Sequence, residues 1–372
     1  MTEGQVPSSA RHLPSLDGLR GLAVVMVMAH NTQMFEPTPA GLLNTLVFYL
    51  LNFGWMGVQL FFVLSGFLIT GILLDTRSQP NWWQNFAVRR VLRIFPLYYG
   101  TLALIFVILP ALQLQPPVFQ PDNSHQWPLW LYLSNWTEPL GMGGSTVPHF
   151  WSLGVEEQFY LLWPLLLWLC PEPKAILKWS MLIVGLGLLT RVLMSRAHMP
   201  APVIYSWTPC RMDALALGGA AAAALRIPEA KAWLIKHRTR WLGSAWAITA
   251  VGFLLTRGFP RTSIPDQTWG YSILALLFGA LVLSAALRDS GETASPATWP
   301  SPWRWAPLRF MGRYSYGMYV FHRPLHEVFS APVLNRLGII PASSAWLACL
   351  HVCMVIACSL ALAMLSYHFF EM

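Results

Sequence analysis

The chain is poor in charge. Only 11% of its 372 residues are Asp, Glu, Lys or Arg, against about 25% in an ordinary soluble domain. That deficit excludes a water-soluble globular protein and points to an integral membrane protein. Cysteine is scarce as well. The five present, Cys170, Cys210, Cys349, Cys353 and Cys358, lie in or beside apolar segments and follow no disulfide-framework spacing. Cys349, His351 and Cys353 could be drawn as metal ligands, but His351 projects from a different helix face than the two thiols, so no metal is expected. No internal repeat, low-complexity tract or second soluble domain is visible, and residues 1–372 read as a single integral-membrane domain. A secretory signal is missing too: residues 1–15 are polar, and the first apolar run has the length of a full span without a small-residue cleavage site. The 24 Lys and Arg outnumber the 16 Asp and Glu, for a net charge of +8. They fall in short loops between apolar runs, so topology accounts for them and no nucleic-acid partner is expected.

What the chain has is apolar length. Hydrophobic residues make up 55% of it, and 19 Trp and 11 Tyr suit the aromatic belts of a bilayer. Apolar runs and breaker residues mark about ten spans, near 17–36, 53–74, 91–110, 149–169, 176–195, 207–225, 241–256, 269–287, 310–331 and 345–367. Segment 37–52 reads as a loop and lead-in to the second span. Segment 113–148 is the longest loop, rich in Pro, Trp and Gly and without a single Lys or Arg. With the amino terminus inside, seventeen of the 24 Lys and Arg fall on the inner side, which puts both termini in the cytoplasm. The expected fold is all-α: a polytopic membrane protein with its helices around a central cavity in the lipid bilayer.

The candidates for chemistry are the polar residues inside spans. Asp17 and Arg20 stand at the mouth of the first, and His30 follows ten residues later, a rise of about 15 Å and so roughly halfway through a ~30 Å hydrocarbon core. An imidazole at that depth is a functional hypothesis by default; as plainer readings, Arg20 would be a charge anchor and His30 a packing histidine. Ser65-Gly66 in the second span permits close helix approach. Arg90 and Arg93 open the third span on one helix face, which suits either the phosphates of a nucleotide or a lipid headgroup. The fourth span begins His149-Phe150-Trp151, with Glu156 and Glu157 about two turns deeper, where carboxylates need partners. The sixth supplies Arg211 and Asp213 as such partners, and the ninth carries Tyr316, Tyr319 and His322. With positive groups along the inner surface and the remaining polar groups from mid-depth outward, the layout suits a cavity open on both sides, with a polyanionic donor below and a hydroxylic acceptor above.

Six ordered motifs now stand together: Leu16-Asp17-Gly18-Leu19-Arg20-Gly21 with His30; Phe62-Val63-Leu64-Ser65-Gly66-Phe67; Arg90-x-x-Arg93-Ile94-x-Pro96; His149-x-Trp151-Ser152-Leu153-x-Val155-Glu156-x-x-Phe159-Tyr160; Arg211-x-Asp213; and Ser315-Tyr316-x-x-Tyr319-x-x-His322-x-Pro324. In this order they resemble the acyltransferase-3 family of membrane-integral bacterial O-acyltransferases, over essentially the whole chain. The resemblance implies an O-acetyltransferase of the cytoplasmic (inner) membrane. It would move an acetyl or other short acyl group from cytoplasmic acetyl-CoA, or another acyl-CoA, to a sugar hydroxyl of an envelope polysaccharide or lipid-linked glycan. On that basis His30 is the expected general base, Glu156 orients His30 or the sugar, and His322 with Tyr319 binds the acceptor or stabilises the oxyanion. Arg20, Arg90 and Arg93 are expected on the CoA phosphates, and Asp17, His149, Trp151, Glu157, Arg211, Asp213 and Tyr319 around the substrate. A covalent relay through His30 or Ser65 is the second mechanistic option.

Two departures accompany the resemblance. The family usually places ten residues between its Arg and His; here nine intervene, which leaves Arg20 and His30 roughly 80° apart and puts Asn31 on the face of Arg20. The C-terminal extracytoplasmic domain of some members is missing, so the membrane domain, a second copy or a separate extracytoplasmic transferase is expected to finish the transfer. A transporter of a glycan precursor or of protons is the competing class, although no paired broken spans or inverted repeat is visible.

Overall fold

The computed structural model describes residues 12–32, 41–142, 145–291, 301–329 and 345–370, and among these no strand occurs. Helix α1 (Pro14–Asn31) is followed by α2 (Leu42–Asn52), which passes through a 3-10 turn at Phe53–Trp55 into α3 (Met56–Thr76). Helix α4 (Trp82–Ala103) continues through a π-helical turn at Leu104–Ile108. Then come α5 (Phe150–Leu169), α6 (Pro173–Arg196), the short α7 (Ala201–Ser206) and α8 (Thr208–Ala224). Helices α9 (Pro228–Lys236) and α10 (Arg238–Thr256) precede a second π-helical turn, Asp266–Gly270, that opens α11 (Tyr271–Asp289). The last three are α12 (Ala306–Arg313), α13 (Ser315–Val328) and α14 (Ala345–Phe370).

Each stretch read as a span holds a helix. Among the described residues, five helical runs are long and apolar enough by themselves to cross a bilayer: Leu42–Thr76, Trp82–Ala111, Pro173–Arg196, Asp266–Asp289 and Cys349–Phe369. The others are shorter or more polar. Helices α8 and α13 have 17 and 14 residues, and α1 and α5 carry charged side chains that face inward to the site.

Small residues decide which helices meet. A Cβ on Gly21 would fall 1.9 Å from the carbonyl oxygen of Leu308, and one on Gly66 would fall 1.8 Å from that of Leu215. Helix α1 therefore lies backbone to backbone against α12, and α3 against α8, the close approach expected of Ser65-Gly66. Gly21 of the first motif serves this contact and Gly18 packs against the Trp303 backbone just before α12, while Asp17 and Arg20 line the lower site.

Four details differ from the sequence reading. Helix α1 ends at Asn31, short of the expected limit near 36, so His30 lies in its last turn, about 24 Å along the axis from Pro14. Residues 42–52 are helical, although 33–40 lie outside the described residues. Segment 113–148 contains short helical turns at Pro117–Ser124, Trp127–Trp130 and Ser134–Trp136. They are tied down by Tyr98, whose hydroxyl donates to the Leu129 carbonyl at 2.7 Å, and by Gln158, whose amide donates to that of Tyr132 at 3.0 Å. The ninth stretch is broken at Tyr314 into α12 and α13; its residues 330 and 331 lie outside the described ones.

Candidate active site

With the amino end of α1 drawn downward, two chambers stand one above the other. The lower encloses about 600 Å³ and is lined by Asp17 and Arg20 of α1, Ser65 of α3, Arg90 and Arg93 of α4, and Glu156, Glu157 and Tyr160 of α5. The upper encloses about 430 Å³ and is lined by His30 and Asn31 of α1, His149, Trp151, Tyr205, Arg261 and Arg323. Val58 and Tyr319 line both, so they form the wall between them. The single central cavity expected from the sequence is thus two chambers with a common wall.

The lower chamber is a charge cluster. Asp17 takes a 2.6 Å bond from His12 and lies 4.0 Å from Arg20. Arg90 rests over the Tyr160 ring at 5.6 Å and over Phe86 at 5.5 Å. Ser65 bonds both Tyr160 and Glu156, and Arg20 and Arg90 lie within electrostatic reach of Glu156. Glu157 likewise answers to Arg90. Buried carboxylates need such partners. This overturns two expectations. Glu156 and Glu157 face the arginines below the wall, not His30 above it. Asp17 belongs to the same lower mouth, away from the aromatic acceptor side.

The upper chamber is aromatic and carries the imidazoles. Trp151 packs on Tyr205 at 4.8 Å, and the Arg261 guanidinium lies 4.9 Å over the same Tyr205 ring. His30 bonds the backbone of Leu51. His149 donates through Nε2 to the Val320 carbonyl at 3.2 Å. Its own carbonyl accepts from the Tyr319 hydroxyl at 2.8 Å, and Ser152 lies 2.5 Å from that hydroxyl. The position of Tyr319 in the wall is therefore fixed by α5.

Residues 13–368 match the family model described as an acyltransferase domain. The chain belongs to the acyltransferase-3 family. It is 29% identical to the peptidoglycan O-acetyltransferase OatA of Listeria monocytogenes, with 98% of this chain and 56% of the relative covered. It is 29% identical to the putative peptidoglycan O-acetyltransferase YrhL of Bacillus subtilis, with 97% and 54% covered. It is 28% identical to the O-acetyltransferase OatA of Staphylococcus aureus, with 85% and 51% covered. The chain thus spans about half the length of these relatives. No solved structure matches it significantly.

For this acyltransferase-3 chain, three of the expected site residues line neither chamber. His322 is fully buried behind the upper wall, 4.8 Å ring to ring from His149. Its Nδ1 donates to the Tyr319 carbonyl at 2.6 Å, which leaves Nε2 to accept from the Asn31 amide at 3.1 Å. It holds Asn31 and so acts through another residue. Asp213 is consumed by Arg191 in a fully buried ion pair at 2.8 Å, completed by Ser272. Arg211 donates to Gln59 at 2.6 Å and sits among the rings of Phe62, Trp151, Tyr205 and Tyr271, nearest Tyr271 at 4.5 Å. Arg211 stiffens the aromatic wall from behind.

Sequence reasoning gave no site role to Arg191, Gln59, Arg261 or Arg323, and noted Asn31 only for its spacing from Arg20. Arg191 had a readable signal, a guanidinium inside the apolar stretch of its helix, five residues before the end. Arg323 pairs with Glu327 one helical turn on at 2.7 Å, a spacing the sequence does show, but its donation to the Asn31 carbonyl at 2.8 Å is set by tertiary packing. Among the described residues no cluster of three or more metal-ligating side chains occurs.

Proposed function

We propose that this chain is a membrane O-acetyltransferase: it takes an acetyl or other short acyl group from cytoplasmic acyl-CoA and delivers it to a sugar hydroxyl of an envelope glycan, peptidoglycan first among the candidates. The observation that carries this reading is the stacking of a chamber that gathers Arg20, Arg90 and Arg93 beneath an aromatic, histidine-bearing one, with Val58 and Tyr319 lining both. A polyanionic donor and a ring-shaped polyhydroxyl acceptor ask for those two linings. The topology that goes with it is ten crossings in the cytoplasmic membrane, both termini in the cytoplasm, and the lower chamber facing the cytoplasm. The names of the relatives support the acceptor class.

The thioester rises from below to the wall, with Arg20, Arg90 and Arg93 on the phosphates. The sugar lies against Trp151 in the upper chamber. His30 removes the hydroxyl proton as the oxygen attacks the thioester carbonyl; the C–S bond then breaks and the imidazolium returns the proton to the leaving thiolate. Glu156 and Ser65 fix Tyr160 and the arginine side chains around the thioester, and Tyr319, its hydroxyl held by His149 and Ser152, frames the passage between the chambers. Where the whole protein needs a further extracytoplasmic transferase, the acyl group is passed on from here.

His30→Ala is expected to abolish glycan acylation while the protein still inserts and binds CoA. Mass spectrometry of envelope glycans, with and without the gene, reads the added acyl mass; normal acylation in the variant would remove His30 from this role. Release of free CoA thiol separates the reading from a transporter, which gives none.

A further inference from the structure

Outside the lower chamber lies a cleft of about 980 Å³ that shares His12, Asp17, Arg20 and Arg93 with it. Three further arginines, Arg89, Arg309 and Arg313, line the cleft alone. Arg89 and Arg93 are four residues apart on α4, and Arg309 and Arg313 four apart on α12, so each pair shares a helix face. Like charges at that spacing disfavour the helix. Five guanidinium groups gathered here face one carboxylate, Asp17, which already accepts from His12 at 2.6 Å. Arg313 is held in place, 5.2 Å over the Tyr367 ring. Between the arginines lie the exposed ring of Phe310 and the exposed side chain of Leu92. Guanidinium groups beside an open aromatic face are what a nucleotide requires, phosphate oxygens on the former and the base on the latter.

We infer that this cleft holds the 3′-phosphorylated adenosine diphosphate head of the acyl-CoA donor, with Arg309 and Arg313 reading the 3′-phosphate. The inference rests on the acyl-CoA reading above and deepens it. Arg20 and Arg93 line both the cleft and the chamber, so they receive the pyrophosphate where the head turns into the slender pantetheine tail. The arginines confined to the cleft are left for the phosphate furthest from the thioester. A ligand that fills both spaces must have a polyanionic head and a narrow tail. An anionic lipid headgroup offers the phosphate chemistry without a tail suited to the charged lower chamber.

The test is binding of CoA and of 3′-dephospho-CoA to the full chain in nanodiscs of neutral phosphatidylcholine. Wild type is expected to prefer CoA by about tenfold to hundredfold, the worth of one or two hydrogen bonds between charged groups. Arg309→Gln with Arg313→Gln is expected to lower CoA affinity to that of 3′-dephospho-CoA while 3′-dephospho-CoA binding stays as in wild type. Equal affinity of wild type for both molecules overturns the inference and leaves the acyl-CoA reading intact. Absence of CoA binding in wild type overturns both. A parallel titration in discs containing phosphatidylglycerol addresses the lipid. If that lipid binds at Arg309 and Arg313 and lowers CoA affinity to the 3′-dephospho-CoA value, the cleft is a headgroup site and the inference fails.

Discussion

A methyl group added at Gly54 would fall 2.0 Å from the carbonyl oxygen of Met26 and 2.8 Å from the Cβ of His30. The last turn of α1 is thus seated directly on the turn that opens α3, and the imidazole goes where that contact puts it. Gly54→Ala is expected to displace His30 by a fraction of an ångström to an ångström, at a cost of about a hundredfold in transfer rate, with CoA binding in the lower chamber unchanged. Parallel measurement of acylation and CoA affinity checks this; an unchanged rate would mean that His30 tolerates the shift. At this scale much of the site was legible. Arg20, Arg90, Glu156 and His30 announce themselves as polar groups in apolar runs, and all four line a chamber. Their grouping was not legible. Which carboxylate meets which cation depends on helix rotation, and no spacing within α1 or α5 says that Glu156 turns toward Arg20 and Arg90 while His30 opens into the space above.

Among the elements, the α6–α8 pair shows how a charged group can be structural. Arg191 of α6 reaches Asp213 of α8 at 2.8 Å, the Thr268 carbonyl at 3.0 Å and the Cys210 carbonyl at 2.6 Å. Every one of these groups is away from water, so losing one partner strands the other. Arg191→Ala is expected to destabilise the protein by about 3–5 kcal/mol, and Arg191→Met combined with Asp213→Leu to recover most of that loss. Thermal unfolding in one detergent compares the three forms; a double variant no more stable than the single one would show that the pair does more than neutralise charge. Asp213 stood out in the sequence for the same reason as Glu156, an acid in an apolar segment. Its partner lies 22 residues earlier on another helix, and only the packing of α6 on α8 reveals that the charge is already satisfied. The same limit applies to α12 and α13, which one apolar stretch presents as a single span and Tyr314 divides.

At the level of the whole molecule, the all-α architecture, the membrane class and the family were readable from composition and motif order, because both depend on local sequence. The division into two chambers was not, because Val58 and Tyr319 lie 261 positions apart and meet only in the folded bundle. Val58→Trp would fill the wall from α3. We expect CoA to bind as in wild type and the acyl group to stay on it, so that glycan acylation falls while CoA affinity does not. Retained acylation would mean that the transfer path runs elsewhere.

A partition this thin has a further consequence. On the proposed reading, an acyl group as small as a carbonyl and a methyl is handed across at Val58 and Tyr319, while the CoA nucleotide stays in the lower chamber. An organism using such a device could decorate its exterior from an internal metabolite pool. The space left between Val58 and Tyr319 would then set an upper bound on the length of acyl chain that passes between the chambers.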